Sequence, residues 1–396
     1  MRHTTRDLRR RHRASLLAYI YHFGPVSRGD LMDASGLSAG SVSNVVTDLV
    51  AHGVIREVGS EDSDGGRPRT LLRVRPRFGL VVGVEIAETR VRATLYDWTL
   101  RRMATRIRPV DPAGADPDEV AGLVAGAIDA VTAEAGVAAY GLLGVGVGVP
   151  GSVQAEAGGT VYAPRLGWSG VPLAALLAER VAVPLHLGNC ARTLGQADLW
   201  QRAGQPAGRT VVAMLAEGVG AAVTTGAAAE GGSVAITEWG HTVIHTGGAR
   251  CRCGSRGCLE AYVGAEAILA RYAATVPDRP LRGTDPRRRL AELVMLAARP
   301  GPAAELLAET ARYLGVGVGN LINLLAPDRI VLAGWAATVL APAVLPAVRR
   351  HAARHALAHL CERAQIELGD FDEDAVARGA AALPIARLLD QGGLPD

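Results

Sequence analysis

Residues 240–260 read GHTVIHTGGARCRCGSRGCLE, and this stretch places a histidine and three cysteines within a short, glycine-rich segment. His241 is followed by Cys251, Cys253 and Cys258 in the spacing His-x9-Cys-x-Cys-x4-Cys. Thiolates and an imidazole are ligands that Zn²⁺ prefers, and four of them complete a tetrahedron. The sequence therefore predicts a structural zinc site, because four protein ligands leave no open position for a catalytic water.

Two glycines within the cysteine run favour a compact metal loop. Gly254 and Gly257 let the backbone fold tightly enough to bring Cys258 back beside Cys253. Nearby arginines would help to keep the thiols deprotonated, and these are Arg250, Arg252 and Arg256. Spacing alone does not decide between His241 and His245 as the fourth ligand.

Strand and helix patterns on both sides of this loop predict an α/β body from residue 78 onward. A meander of three strands is expected first, followed by strand–helix alternation, and the same arrangement then recurs. The expected strands are Leu80–Ile86, Arg90–Asp97, Arg101–Val110, Leu142–Val149 and Pro184–Leu187, then Val211–Leu215, Gly220–Thr225 and Arg329–Ala333. A meander with alternation, present twice, predicts a body of two lobes with a cleft.

Several motifs of the body occur together in one known family. They are Gly240-His241, the run from Cys251 to Glu260, Ala163-Pro164-Arg165-Leu166-Gly167-Trp168, Asn189, and Gly317–Pro327 leading into Ile330–Gly334. The set resembles the signature of the ROK family (repressors, uncharacterised reading frames and sugar kinases). The resemblance implies an actin/hexokinase-like ATPase fold for the body, and its Gly-His motif favours His241 over His245 as the metal ligand.

The basic charge of the chain is concentrated near its N-terminus. Residues 1–78 contain 13 Arg and 8 acidic residues, whereas the remaining residues contain 29 Arg and 31 acidic residues. A solvated basic tail is the simplest explanation of such a segment. Its apolar pattern instead favours a folded module that binds an acidic partner.

The N-terminal module has the pattern of a winged helix-turn-helix. Ser27 and Asp30 form a short-armed capping box for a second helix, and Ser38 is placed to cap a third. The third helix has one apolar face, made of Val42, Val45, Val46, Leu49 and Val50. Strands at Val54–Val58 and Thr70–Val74 then enclose an Arg-containing, Gly/Pro-rich loop, which suits a DNA minor groove or phosphates. This loop argues against the alternative of a three-helix protein-interaction module.

The opposite face of the third helix is small and polar, which allows close approach to base edges in a major groove. We predict base contacts from Ser41, Ser43, Asn44 and Thr47, and phosphate or minor-groove contacts from Arg56, Arg67 and Arg69. A single helix gives too little contact for regulatory affinity. We therefore expect a homodimer, or a tetramer built from it, on a double-stranded DNA operator.

Two departures from the ROK kinases predict a body without kinase activity. Kinase members carry Asp-x-Gly-Gly-Thr after the first strand, where this chain has Glu85-Ile86-Ala87-Glu88-Thr89. Glu88 puts a side chain and a negative charge where a phosphate would sit. Kinase members also place a general-base aspartate after the sugar-binding asparagine, but Cys190 follows Asn189 here, and a thiol is mostly protonated at neutral pH. The second phosphate turn, Glu217–Ala221, survives in part.

The resemblance also implies a sugar site. The family positions for sugar binding hold Asn189, Cys190, Glu238, His241 and Glu260, and all except Cys190 can still bind hydroxyls. We therefore assign sugar binding to Asn189, Glu238, His241 and Glu260. The alternative is that Glu238 and Glu260 only support the zinc loop. Trp168 and Trp239 are each expected either to face the sugar or to lie in the core.

Composition excludes several classes of function. The chain has 42 basic residues and none is lysine, which excludes a Walker-A lysine, a Schiff-base enzyme and a lysine general base. The sequence contains no apolar stretch of about 18 residues, so no membrane span is predicted. The Arg-rich start lacks the apolar region of a signal peptide. Five cysteines without a disulfide pattern indicate a reducing compartment.

These patterns predict three domains in a cytoplasmic, nucleoid-associated DNA-binding regulator. Residues 1–77 form the winged helix-turn-helix, 78–190 the first lobe, and 191–396 the second lobe with the zinc loop, whose C-terminal helix is able to return to the first lobe. The predicted function is repression of genes for carbohydrate uptake or metabolism, with a sugar as inducer. The alternatives are a sugar kinase and a regulator that responds to a protein partner.

Overall fold

The computed structural model describes residues 5–61, 68–111, 115–137, 141–154, 158–205 and 208–393. Packing of the backbone divides the chain into two units. The first contains Met1–Pro206, Gly226–Ser233 and Val376–Asp396, and the second contains Ala207–Thr225 and Val234–Ala375. Among the described residues, every helix is too short or too polar to cross a membrane.

The first unit begins with a winged helix-turn-helix, as predicted. Its elements are α1 (Thr5–Phe23), β1 (Val26–Ser27), α2 (Arg28–Ser35), α3 (Ala39–Ala51), β2 (Ile55–Glu61) and β3 (Arg69–Val74), with the strands antiparallel in the order β1-β3-β2. The predicted capping box is present: Ser27 Oγ accepts from the Asp30 N–H at 3.2 Å, and Asp30 Oδ2 accepts from the Ser27 N–H at 2.7 Å. Ser38 caps α3 by accepting from the Ser41 N–H.

Helix α3 packs its apolar face into the core of this module. Val42, Val46 and Leu49 are fully buried there. Val50, which the pattern also assigns to this face, is 39% exposed because it lies in the last turn of the helix. The helix therefore presents the polar face that the sequence predicts to solvent.

The body opens with a five-stranded sheet in the first unit. The elements are β4 (Leu80–Ile86), β5 (Arg90–Asp97), β6 (Arg102–Pro109), α4 (Pro117–Glu134), β7 (Leu142–Val149), β8 (Ser152–Gln154), β9 (Thr160–Ala163), β10 (Trp168–Val171), α5 (Leu173–Ala178), β11 (Leu185–Asn189) and α6 (Cys190–Gln201). The large sheet has the order β11-β7-β4-β5-β6, and β8, β9 and β10 form a separate small sheet.

The second unit repeats this topology. Its elements are β12 (Thr210–Leu215), β13 (Val219–Thr225), β14 (Ser233–Thr237), α7 (Glu260–Val263), α8 (Ala265–Thr275), α9 (Pro286–Leu296), α10 (Pro302–Leu325), β15 (Arg329–Ala333), α11 (Trp335–His355), α12 (Ala358–Arg363) and β16 (Gln365–Leu368). The strand order is β14-β13-β12-β15-β16, so each sheet is an antiparallel meander extended by two parallel strands. The repeated α/β arrangement predicted from the sequence is confirmed.

The last helix, α13 (Ala375–Asp390), packs on the sheet of the first unit at backbone-to-backbone distance. A Cβ added to Gly83 of β4 would lie 1.8 Å from the Ala377 carbonyl oxygen, and one added to Gly146 of β7 would lie 1.8 Å from that of Ala380. Only glycine fits at these two positions, because any side chain would push the helix away from the sheet.

The winged module and the body share one hydrophobic core within the first unit. Tyr21 at the end of α1 donates a 2.7 Å hydrogen bond to the Trp98 carbonyl oxygen, and its ring meets those of Trp98 and Trp200 edge-on at 5.5 and 5.3 Å. Ile385 and Leu388 of α13 belong to the same core. The module is thus packed on the body rather than tethered to it by a linker.

Candidate metal centre, sugar residues and DNA-binding surface

The metal loop connects β14 to α7 and is held by its own backbone. The Cys251 N–H donates to the Ser255 carbonyl at 2.8 Å, and the Gly257 N–H donates to that of Ala249 at 2.8 Å. Gly254 and Gly257 have φ angles of 94° and 82°, and a Cβ on Gly257 would lie 1.8 Å from the His245 carbonyl oxygen. Both glycines are therefore needed for the tight fold that the sequence predicts.

The four expected ligands meet in this loop. One donor atom each from His241, Cys251, Cys253 and Cys258 lies within 4.8 Å of all the others. The Cys253 and Cys258 Sγ atoms are 3.7 Å apart, and Cys251 Sγ is 3.7 Å from His241 Nδ1. Two sulfurs bound tetrahedrally to zinc at about 2.3 Å would be about 3.8 Å apart. The cluster can therefore bind a metal ion, and its donor chemistry and spacing fit zinc.

His245, the alternative ligand, lies in an aromatic cluster instead. Its Nδ1 is 3.3 Å from the Tyr262 hydroxyl and 3.5 Å from that of Tyr313. The Tyr262 hydroxyl also accepts the Ala249 N–H at 2.7 Å. These contacts tie the metal loop to α7 and α10 and leave His241 as the ligand.

The three thiols have different proton affinities. Burial, together with the neighbouring Cys253 and Cys251, raises the pKa of the Cys258 thiol to about 12. Burial also opposes ionisation of Cys253, but hydrogen bonds from the Ser255 backbone and the two other thiols outweigh it and lower its pKa to about 7. Cys253 is therefore the thiol that ionises first.

Two of the predicted sugar residues, Glu238 and Glu260, differ in their surroundings. Glu260 is 8% exposed, and its Oε2 accepts the Val219 N–H at 2.9 Å while its Oε1 accepts the Cys251 thiol at 3.9 Å. Glu260 thus connects the metal loop to β13. Glu238 is exposed at the start of the loop, three residues before His241.

Asn189 and Cys190 lie at the junction of β11 and α6 in the first unit. The Asn189 side chain caps α6 by accepting from the Ala191 and Arg192 N–H groups, and it donates to the Gly151 carbonyl oxygen. Cys190 is buried, with its thiol directed at the Ile86 carbonyl oxygen at 3.8 Å. An aspartate at this position would bring a carboxylate towards that oxygen, where two hydrogen-bond acceptors would face each other.

The tryptophans considered as sugar platforms are core residues. Trp168 is 4% exposed and donates its indole N–H to the Ala115 carbonyl at 2.7 Å. Trp239 is 2% exposed and donates to that of Gly317 at 3.0 Å. Both indoles are satisfied inside the protein, so the core alternative holds for each.

The two turns that the sequence predicts to correspond to the kinase phosphate turns carry carboxylates with hydrogen-bond or ion-pair partners. Glu88, in the turn after β4, forms an ion pair with Arg165, and both side chains are largely buried. Glu217, in the turn before β13, accepts the Trp335 indole N–H at 3.1 Å. The sequence indicated the charge of Glu88 but not its partner.

The predicted base-reading residues lie on the outer face of α3. Ser43, Asn44 and Thr47 are exposed, whereas Ser41 is half-buried and its hydroxyl lies 3.1 Å from that of Ser38. Asp48 of the same helix is paired with Arg13 of α1 at 3.2 Å, which orients α3 on the module.

The wing carries exposed arginines. Arg56 of β2 and Arg69 of β3 are exposed, and Arg67 lies outside the described residues. Sequence reasoning missed Arg73, which lies directly opposite Arg56 in the sheet and is also exposed. Two like charges at facing positions repel each other, so the pair suits a surface that meets an anion. The strand register was the signal that could have revealed it.

Comparison with protein families gives two matches. A model of the ROK family matches residues 81–387, and a model of the MarR family matches residues 7–65.

Similar proteins extend along nearly the whole chain. A putative xylose repressor of Caldicellulosiruptor sp. (strain Rt8B.4) is 25% identical and aligns with 94% of this chain and 95% of its own length. The transcriptional dual regulator NagC of Escherichia coli K12 is 28% identical over 84% of this chain and 82% of its own length. The crystal structure of a ROK family transcriptional regulator, a homolog of the E. coli MLC protein, covers 98% of each chain with a TM-score of 0.79 at 20% identity, which shows the common fold.

Proposed function

Because the chain belongs to the ROK family, we propose that it is a cytoplasmic transcription repressor that binds operator DNA and is released by a sugar. The observation that carries this proposal is that one chain contains both a MarR-type winged helix and a ROK body. The polar face of α3 in the winged helix is exposed. The names of the relatives, a putative xylose repressor and NagC, support a sugar or sugar derivative as inducer and carbohydrate genes as targets.

In this proposal α3 enters the major groove of the DNA, and the wing contacts the DNA phosphate backbone or the minor groove. Ser43, Asn44 and Thr47 read bases, and an amide such as that of Asn44 pairs well with adenine. Arg56 and Arg69 bind phosphates. Two copies related by a two-fold axis would read two half-sites one helical turn or a multiple apart.

Titration of full-length protein against DNA from beside its own gene tests this assignment. Asn44→Ala should weaken specific binding by about 1–3 kcal/mol, or about 5- to 150-fold, since it removes one base contact. Binding to unrelated DNA should be unchanged and serves as the internal control. Equal loss on both DNAs would exclude base reading by α3.

Zinc is the metal that we propose for the cluster of His241 and the three cysteines. Its role is structural, because all four coordination positions are taken by the protein. Bound zinc would fix the segment from Glu238 to Glu260. His241 would use one ring nitrogen for the metal and keep the other for a sugar hydroxyl.

We propose that Glu238 is the primary sugar ligand of the second unit, with His241 beside it. Glu238 is exposed, whereas the carboxylate of Glu260 is already bonded to Val219 and Cys251. Asn189 of the first unit also serves as a cap and is proposed as a further sugar ligand. Glu238→Gln should then weaken sugar binding and leave the zinc content unchanged. A Glu260→Ala change would disturb both.

A loop of the second sheet offers a route from the sugar residues to DNA. Residues 226–232 join β13 to β14, and the short 3-10 turn at Ala228–Glu230 packs on α1 of the winged module. Strand β14 runs from this loop directly to Glu238. A sugar that shifts Glu238 would therefore move a segment that contacts α1.

Charge placed on this loop tests the route. Ala229 is half-buried, and Ala235 is exposed on β14 of the same hairpin. Ala229→Glu should preserve zinc binding and abolish the release of DNA by sugar, whereas Ala235→Glu should behave like the wild type. Normal release from the Ala229 variant would exclude the loop as the route.

The second candidate function is a sugar kinase, because ROK kinases of known structure cover 76% and 77% of the chain. The carboxylate of Glu88 in the first phosphate turn, and the thiol of Cys190 at the position of the general base, favour the regulator and outweigh the partial survival of the second turn. Formation of sugar phosphate above background with ATP and Mg²⁺ would favour the kinase over the repressor.

A further inference from the structure

A cavity of about 480 Å³ opens among three helices of the second unit. Arg271 of α8, Arg312 of α10 and His351 of α11 line it, and Glu305 and Glu309 of α10 lie on the same wall. Its volume is typical of a site for a small molecule. Neither the sugar residues nor the metal ligands contribute to it.

The two arginines of this cavity are held in place by neighbouring aromatic rings. The Arg271 guanidinium lies 5.7 Å from the centre of the Tyr262 ring and donates to the Tyr262 carbonyl at 3.3 Å. The Arg312 guanidinium lies 4.7 Å from the centre of the Tyr313 ring. Because these side chains are already held in place, less side-chain conformational entropy is lost when a ligand binds.

Both guanidiniums share a single carboxylate. Glu309 pairs with Arg271 through Oε2 and with Arg312 through Oε1, the latter at 3.3 Å. Glu305 lies on the same wall, so the two guanidiniums and the two carboxylates balance in formal charge there. An anion with several oxygens could accept hydrogen bonds from both guanidiniums.

Positive charges lie near His351 on the α11 side of the cavity. The pKa of His351 is lowered by burial and by the positive charges of Arg354, His355, Arg350 and Arg312. Glu305 and Glu309 balance Arg271 and Arg312, so Arg350 and Arg354 at the end of α11 give the region its positive charge. An anion would therefore be attracted towards the His351 side.

We propose that this cavity binds a phosphate group, with oxygens held by Arg271, Arg312 and His351. Donors from three helices suit the three free oxygens of a tetrahedral phosphate, whereas a planar carboxylate can be satisfied by one arginine. The cavity has room for more than a phosphate ion, so the group arrives either as inorganic phosphate or as part of a phosphorylated metabolite. The site is independent of DNA binding and of the sugar residues.

Calorimetric titration of the full zinc-loaded chain at constant ionic strength tests the proposal. The probes are inorganic phosphate and glucose 6-phosphate, and the probe with the higher affinity identifies the source of the phosphate group. Arg312→Gln should weaken binding about tenfold, since it removes a charged hydrogen bond. Arg282→Gln is the matched control, because its side chain is 94% exposed and lies outside the cavity.

A second pair of variants predicts the opposite sign. Glu309→Gln should tighten phosphate binding several-fold, because it removes the carboxylate that competes for both arginines, and Glu292→Gln is the charge-matched control. Failure of both probes to bind saturably would overturn the proposal. Equal affinities in the Arg312 and Arg282 variants would do so as well.

Discussion

Protonation of His22 should destabilise the junction between α1 and the body. Its ring meets Tyr21 and Trp200 at 5.0 and 5.2 Å, and burial lowers its pKa from 6.5 to about 4. The unfolded chain takes up a proton at this residue below about pH 6.5, whereas the folded chain does so only near pH 4. The unfolded state thus binds more protons between these values, and the contribution of His22 to stability is lost as the pH falls from about 6.5 to 4.

The size of this loss follows from the pKa difference. A difference of about 2.5 pKa units corresponds to about 3 kcal/mol at 1.36 kcal/mol per unit. This is a large share of the roughly 5–15 kcal/mol that stabilises a typical folded protein. Because the module and the body share a core, the loss should appear in the unfolding of the first unit.

Urea unfolding followed by tryptophan fluorescence at pH 7 and pH 4 measures this effect. His22→Phe keeps an aromatic ring and removes the titration, so the variant should lose about 3 kcal/mol less than the wild type over this range. All other titrating groups contribute equally to both proteins. His359→Gln, at an exposed site on α12, should lose as much as the wild type. An equal loss in the His22 variant and the wild type would refute the reasoning.

Three further predictions concern the metal, the wing and catalysis. Elemental analysis should find one zinc per chain, and Cys258→Ser should lose it with local disorder of residues 241–260 rather than global unfolding; full zinc content in that variant would exclude the site. Arg56→Gln with Arg69→Gln should reduce the salt dependence of DNA binding by about one unit per lost phosphate contact, and an unchanged slope would remove the wing from the interface. Cys190→Asp should produce no sugar phosphate in a coupled assay, since Glu88 still fills the phosphate turn, and measurable turnover would contradict this. The same change should lower the melting temperature, because it buries a carboxylate near the Ile86 carbonyl.

Local signals in the sequence were enough to predict the main elements. The strands Leu80–Ile86, Arg90–Asp97, Leu142–Val149 and Arg329–Ala333 have the bounds expected from their apolar patterns. The capping box of Ser27 and Asp30 and the turn glycines of the metal loop also act over a few residues. Such features depend on residues that are close in sequence, so a local sequence pattern predicts them.

Features that depend on distant residues could not be predicted. The strands β8, β9, β10 and β14 are short and form only by pairing with partners that the sequence does not specify. The pairing of Glu88 with Arg165 joins residues 77 positions apart. The contacts of the Glu260 carboxylate with Val219 and Cys251 are indicated by no motif. The domain limits and the DNA and sugar residues stay predictions.

DNase I footprinting of the full chain on the DNA beside its own gene tests the central claim most directly. The titration is run alone and with glucose, xylose or N-acetylglucosamine. We expect protection of two half-sites, and one sugar should weaken it about 5- to 150-fold, corresponding to a coupling of about 1–3 kcal/mol. The absence of any protected site would contradict a DNA-binding regulator, and protection that no sugar or sugar derivative changes would contradict sugar sensing by the ROK body.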